Sequence, residues 1–131
     1  MALHLKIIGV ILILLSFIHI AFPWYFNWKK ELRPLSLINT QMMYVHTFFI
    51  AFTVFLMGIL CLCCTSDIIN TTLGKKLSLG LFIFWGLRLI FQLFIYSSNL
   101  WKGKSVETFI HIIFSILWIY FSVVFFFIYF K

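Results

Sequence analysis

Charged residues are scarce in this 131-residue chain, and acidic residues are almost missing. Only 10% of the residues are charged and three are acidic, whereas 64% are hydrophobic and 21% are aromatic. A water-soluble domain usually has about 25% charged and 45–50% apolar residues. The composition therefore excludes a soluble globule and predicts an integral membrane protein, with residues 1–131 forming a single transmembrane domain.

The few charges are mostly positive, giving a formal net charge of +7. Most of the Lys and Arg residues lie in short polar gaps between apolar runs, where lipid headgroups are the expected partners. No cluster of basic residues is dense enough for a nucleic-acid-binding surface, and no nucleic-acid-binding motif is present. We expect membrane lipids, and no nucleic acid, as partners.

Cysteine is also scarce, and its three copies stand together in "CLCC", at Cys61, Cys63 and Cys64. No basic side chain is near them in sequence to activate a thiolate, so we expect them to behave as small apolar residues. The spacing of Cys61 and Cys64 leaves open a redox pair or a soft-metal site.

Four apolar runs are long enough to cross the hydrocarbon core, which takes about 20 residues as a helix. They are residues 3–22, 42–64, 77–96 and 106–130. The first run exceeds the apolar part of a signal peptide and lacks a small-residue cleavage site, so we expect an uncleaved helix. The pattern predicts an all-α, four-helix membrane bundle with antiparallel neighbouring spans and both termini on the same side.

The charges flanking the spans give almost no preference for orientation. Connections 23–41 and 97–105 carry five basic residues, and the opposite side of the membrane carries four. The charges around the first span slightly favour a cytoplasmic position for these two connections.

An arginine interrupts the third span, in "FWGLRLIFQLFIY". A charge at the bilayer centre costs about 2.5–3.5 kcal/mol on insertion scales, so such residues usually face a protein interior and have a function. At about 100° per residue, one stripe of this helix carries most of its polar groups. The members are Trp85, Arg88, Gln92, Tyr96 and Asn99.

The fourth span has a matching stripe, with Glu107, His111, Ser115, Trp118 and Ser122 on one sector. None of the three acidic residues lies at the depth of Arg88. Its donors must therefore meet backbone carbonyls, hydroxyls, water, or a ligand with an anionic or carbonyl oxygen. The ligand candidates are a lipid headgroup, a quinone, a haem propionate and a small anion.

Three histidines from three different spans fall near one face of the membrane by helix rise. They are His19, His46 and His111. Imidazoles that converge at one depth can ligate zinc, copper or iron, or bind haem axially. They lack the close spacing of a strong metal motif, so hydrogen-bonded structural histidines and acid–base catalysis remain open as alternatives.

The sequence therefore predicts a polar site inside the bundle. Its expected ligand-binding residues are Arg88, Gln92, Tyr96, His46 and His111, and its candidate metal ligands are His19, His46 and His111. One hypothesis is membrane redox chemistry on a metal, haem or quinone-like group. Two alternatives are an anion or small-solute channel or transporter using Arg88, and a non-catalytic assembly subunit. We also expect a homo-oligomer or membership of a membrane complex.

Overall fold

The computed structural model describes all 131 residues, and it contains helices and no strand. The helices are α1 (Ala2–Tyr25), α2 (Trp28–Glu31), α3 (Leu37–Cys63), α4 (Thr65–Asn70), α5 (Thr72–Ile90) and α6 (Ser105–Phe130). A π-helical turn, Phe91–Ile95, extends α5, and a 3₁₀ turn, Ser98–Leu100, precedes α6. With that extension, four helices are long and apolar enough to cross a membrane, which confirms the all-α fold class with four spans.

The helices are longer than the apolar runs at several ends. Helix α3 begins at Leu37 rather than Met42, because the Ser36 hydroxyl accepts a hydrogen bond from the Asn39 amide at 3.4 Å and caps the helix. Residues 65–76, which separate the second and third apolar runs, are largely helical and include α4 and the start of α5. Hydropathy locates the part of a helix that fits the hydrocarbon core, whereas caps determine where the helix begins.

The chain divides into two compact units, Ala2–Thr65 and Ser66–Lys131 together with Met1. Each unit is built on a pair of membrane-length helices, α1 with α3 and α5 with α6. The single domain expected from the sequence stays a prediction.

Two glycines bring α1 and α3 into close contact. A Cβ atom added at Gly9 would lie 2.7 Å from Leu62 Cγ and 2.9 Å from the Gly58 carbonyl oxygen. A Cβ added at Gly58 would lie 2.8 Å from the Gly9 carbonyl oxygen. Further along the pair, the Phe17 and Phe55 rings meet edge to face at 6.2 Å. The contacts run in opposite chain directions, so the helices are antiparallel.

Aromatic side chains hold α5 against α6. The Phe82 and Phe126 rings lie 5.5 Å apart, and the Trp85 ring lies 5.1 Å from the Phe121 ring. Phe121 and Phe125 are fully buried. These pairs also run in opposite directions along the two helices, which confirms antiparallel packing within this unit.

Hydroxyl groups in the spans are satisfied by their own helices. Ser78 donates to the Gly74 carbonyl at 3.0 Å, Ser122 to the Trp118 carbonyl at 2.7 Å, and Thr53 to the Phe49 carbonyl at 2.8 Å. Such bonds to the carbonyl four residues earlier remove the cost of a polar group in an apolar medium. These hydroxyls therefore stabilise their own helices and are not available to a ligand.

Candidate functional site

Arg88 lies in the last turn of α5, and its half-buried guanidinium contacts two aromatic faces. Its Cζ atom is 5.6 Å from the centre of the Tyr96 ring and 5.5 Å from that of the Trp118 ring. Each ring attracts the cation through its quadrupole, by about 0.5–2 kcal/mol depending on desolvation. The rings stabilise the positive charge but accept none of the guanidinium hydrogens in a conventional hydrogen bond.

Two buried tryptophans extend this contact into the helix pair. Trp85 is 2% exposed and Trp118 is 5% exposed, and their rings stack at 4.9 Å with an interplanar angle of 18°. The indole Nε1 atoms of both are buried and have no hydrogen-bond partner. A buried donor without an acceptor costs about 1–3 kcal/mol, so two of them beside an arginine call for an explanation.

Apart from the Tyr96 hydroxyl, the unpartnered polar groups around Arg88 are donors. The guanidinium and the two indoles carry N–H groups and offer no lone pair for a cation. The Tyr96 hydroxyl, at a residue that is 45% exposed, can donate or accept. This chemistry suits an anionic or carbonyl oxygen and does not suit a metal ion bound directly at Arg88.

The π-helical turn forms the outer end of the site. Its wider turn is shown by the Tyr96 amide, which donates to the Phe91 carbonyl, five residues earlier, at 3.2 Å. The helix ends at Tyr96, whose backbone is extended with φ −68° and ψ 131°. Single π-helical turns are rare and frequently occur at functional sites. Here the turn carries Gln92 and ends at the tyrosine that covers Arg88.

Gln92 joins α5 to His111 of α6. Its side chain is 8% exposed, and its Nε2 atom lies 2.8 Å from His111 Nδ1. One face of the His111 ring also stacks on Trp101, with ring centres 3.8 Å apart and an interplanar angle of 11°. Trp101 is itself held by Thr108, whose hydroxyl donates to the Trp101 carbonyl at 2.7 Å. The histidine is thus fixed on one side by an amide and on one face by an indole.

The two other candidate histidines lie in the α1–α3 unit and differ in their surroundings. His19 is half-buried, and its Nδ1 atom is 2.8 Å from the Leu15 carbonyl oxygen. Because a carbonyl only accepts, Nδ1 carries the proton and Nε2 keeps its lone pair. His46 is exposed on α3 and makes no hydrogen bond.

The structure thus pairs four of the five expected ligand-binding residues, Arg88 with Tyr96 and Gln92 with His111. No group of three or more His, Cys, Asp or Glu side chains is arranged to hold a metal ion. The metal site at His19, His46 and His111 gains no support from this geometry and stays a prediction.

Three tryptophans belong to the site although the sequence did not single them out as site residues. Trp85 and Trp118 fall in the same helical stripes as Arg88 and His111, so their periodicity carried the signal. Trp101 carried no such signal, because it follows the third span in a turn and reads as an ordinary interfacial tryptophan. Its stack with His111 depends on the fold of the connection.

Searches against protein-family models, curated proteins and solved structures returned no match to this chain.

Proposed function

We propose that the α5–α6 unit of this membrane protein binds a ligand through an anionic or carbonyl oxygen that accepts hydrogen bonds from Arg88. One observation carries the proposal: the guanidinium is half-buried on the faces of Tyr96 and Trp118 and forms no hydrogen bond or ion pair within the protein. Arginine inside a membrane helix usually faces a protein interior and marks a functional site.

The aromatic surroundings favour an amphipathic or ring-bearing ligand. Trp85, Trp118 and Phe114 form a continuous stack, with the Phe114 and Trp118 rings 5.6 Å apart. A ligand tail or ring can pack against the half-buried Phe114 and the exposed Tyr96, at the edge of this stack, while its oxygen meets the guanidinium. A quinone and an anionic amphiphile both combine an apolar part with an oxygen that accepts hydrogen bonds. Both belong to the ligand classes that the sequence analysis considered for Arg88.

The test uses two ligands with matched tails and opposite headgroup charges. Dodecyl phosphate and dodecyltrimethylammonium are added to protein in lipid nanodiscs, and decyl-substituted benzoquinone is added separately. A ligand that binds only the native state raises the unfolding temperature. We expect stabilisation of the wild type by the phosphate or the quinone, none by the ammonium compound, and loss of the effect in Arg88→Gln.

Two controls keep the result specific. Lys76→Gln removes the same charge at an exposed residue near the start of α5, and it should retain the stabilisation. Arg88→Lys keeps the charge but replaces the planar guanidinium by a single ammonium group. This variant should therefore retain part of the stabilisation by the ligand. The proposal is wrong if neither the phosphate nor the quinone stabilises the wild type, or if Arg88→Gln responds as the wild type does.

Anion transport is a second candidate that the same guanidinium supports. A site whose polar groups are mainly donors can select a small anion as well as an oxygen on a larger molecule. Chloride and nitrate efflux from proteoliposomes separates this function from ligand binding alone. Flux that is lost in Arg88→Gln supports transport, and flux equal to that of empty vesicles restricts Arg88 to binding.

Metal or haem binding, the redox hypothesis from the sequence, is supported only by the surroundings of a single histidine. His19 has its Nδ1 atom hydrogen-bonded to a carbonyl and its Nε2 atom open, which is the arrangement typical of ligating histidines. In His111 the arrangement is reversed, because the Gln92 Nε2 group donates to Nδ1 and the ring proton then lies on Nε2, which leaves no lone pair there for a metal. Metal analysis and an absorption spectrum of the purified protein test this alternative.

A further inference from the structure

A second binding feature lies in the α1–α3 unit, where the chain passes from α2 into the first turns of α3. A groove of about 450 Å³ is formed there. Its walls are mainly apolar and its rim is basic: the walls include Trp28, Leu32, Leu37 and Tyr44, and the rim includes Lys29 and Arg33. The groove contains no residue of the Arg88 site.

The base of the groove is fixed by packing. Trp28 is 7% exposed and meets the Tyr44 ring edge to face, with centres 5.4 Å apart. The Thr40 hydroxyl donates to the Leu32 carbonyl at 3.3 Å, which joins the segment after α2 to α3. The turn into α2 passes through Asn27 in the left-handed region, at φ 53°, a conformation that asparagine tolerates better than most residues. The groove is therefore part of the folded unit.

The basic rim has no counterion within the protein. Lys29 and Arg33 are exposed, stand four residues apart, and form no ion pair. Glu31 lies between them in sequence but does not line the groove. Leu37, the first residue of the 27-residue helix α3, also lines the groove, so the positive end of that helix adds to the potential of the two cations. The groove thus combines an unneutralised positive rim with apolar walls.

We propose that this groove binds the phosphate of an anionic phospholipid between Lys29 and Arg33, with the upper part of an acyl chain along Leu32 and Tyr44. The groove is formed by the segment that connects α1 to α3 and by the first turns of α3, next to the ends of two membrane-length helices, where headgroups are expected. Basic residues at this level attract anionic lipids, and aromatic rings anchor there. A free phosphate matches the rim alone, whereas a phospholipid matches the rim and the walls.

The first test compares two double variants that lose the same charge. Binding of phosphatidylglycerol and phosphatidylcholine to the detergent-purified full chain is measured by native mass spectrometry. Lys29→Gln/Arg33→Gln should weaken phosphatidylglycerol binding by about 30-fold, from the usual contribution of two basic residues at a membrane surface. Lys75→Gln/Lys76→Gln should change it little. An equal loss in both would show a general charge effect and overturn the proposal.

The second test keeps both cations and changes the wall. Leu37 is 73% exposed and Ile38, its neighbour outside the groove, is 61% exposed, so both tolerate substitution. Leu37→Glu should repel the phosphate and reduce phosphatidylglycerol binding, whereas Ile38→Glu should leave it nearly unchanged. Equal binding in the two variants contradicts the proposal.

A competition experiment separates a lipid from a free anion. Inorganic phosphate at 100-fold excess over phosphatidylglycerol should leave the lipid bound, because it makes no contact with the apolar walls. Complete displacement would show that the groove recognises phosphate alone, and it would overturn the assignment to a lipid.

Discussion

The guanidinium carbon of Arg88 lies 5.5 Å from the centre of the Trp118 ring, on the helix that packs against its own. This contact explains how α5 carries a charge within a membrane-length helix without an acidic partner. The positive charge is stabilised by π faces, while the guanidinium hydrogens are left for a ligand.

The first prediction concerns the aromatic support of Arg88. Trp118→Leu removes one of the two rings beneath the guanidinium and the stacking partner of Trp85. We expect the free energy of unfolding to fall by up to about 3 kcal/mol, below the range of about 3–5 kcal/mol for truncating a buried Phe or Trp to alanine, because leucine fills part of the space. Unfolding in sodium dodecyl sulfate, followed by circular dichroism, measures it. Phe109→Leu, at a residue that is 63% exposed, is the control and should cost far less.

The second prediction concerns the hydrogen bond between Gln92 and His111. A double-mutant cycle of Gln92→Leu and His111→Leu should give a coupling free energy of about 0.6–1.7 kcal/mol, the span of average to strong hydrogen bonds between membrane helices. The same denaturant titration supplies the four free energies of unfolding. A coupling within error of zero would show that the 2.8 Å contact contributes no stability.

The third prediction concerns the close contact of α1 and α3. Gly58→Ala places a methyl group 2.8 Å from the Gly9 carbonyl oxygen, so the helices must move apart, and we expect a loss of about 1–3 kcal/mol. Gly80→Ala is the matched control, because its added Cβ would meet nothing within 4 Å. Gly80→Ala should be neutral or slightly stabilising, since alanine favours helix more than glycine does. Equal effects of the two substitutions would refute the close packing at Gly58.

The fourth prediction tests the histidines. If they hold a metal or haem, protein purified in mild detergent contains zinc, copper or iron in near-stoichiometric amount or shows a Soret band. The His46→Ala/His111→Ala variant should then lose that content. If the variant keeps its cofactor content, these two histidines are not the ligands. If the wild type is colourless and free of metal, the Gln92–His111 contact is structural.

The sequence was sufficient to predict the class of the fold and the residues that lie together on the α5 side of the site. Four apolar runs defined four helices, and helical periodicity placed Arg88, Gln92 and Tyr96 on one stripe. It missed that residues 65–70 form α4 and that α5 ends in a π-helical turn, because both depend on local hydrogen bonds. The expected place of His46 in the site stays a prediction, and its side chain is exposed on α3.

The partners of Arg88 were beyond sequence reasoning for a physical reason. Counting acids showed only that a carboxylate was lacking at its depth, and a cation–π contact needs ring positions that depend on packing. The fold supplies them: Trp118 comes from α6, and Tyr96 comes from the end of the π-helical turn.

The most direct test of the central claim is the affinity of dodecyl phosphate for the Arg88 site, measured by isothermal titration calorimetry. Lys29→Gln/Arg33→Gln serves as the background, so that the groove beside α2 does not contribute. We predict saturable binding in this background and at least a 10-fold weaker affinity when Arg88→Gln is added. Unchanged affinity after that addition would contradict the claim that Arg88 binds an anionic oxygen.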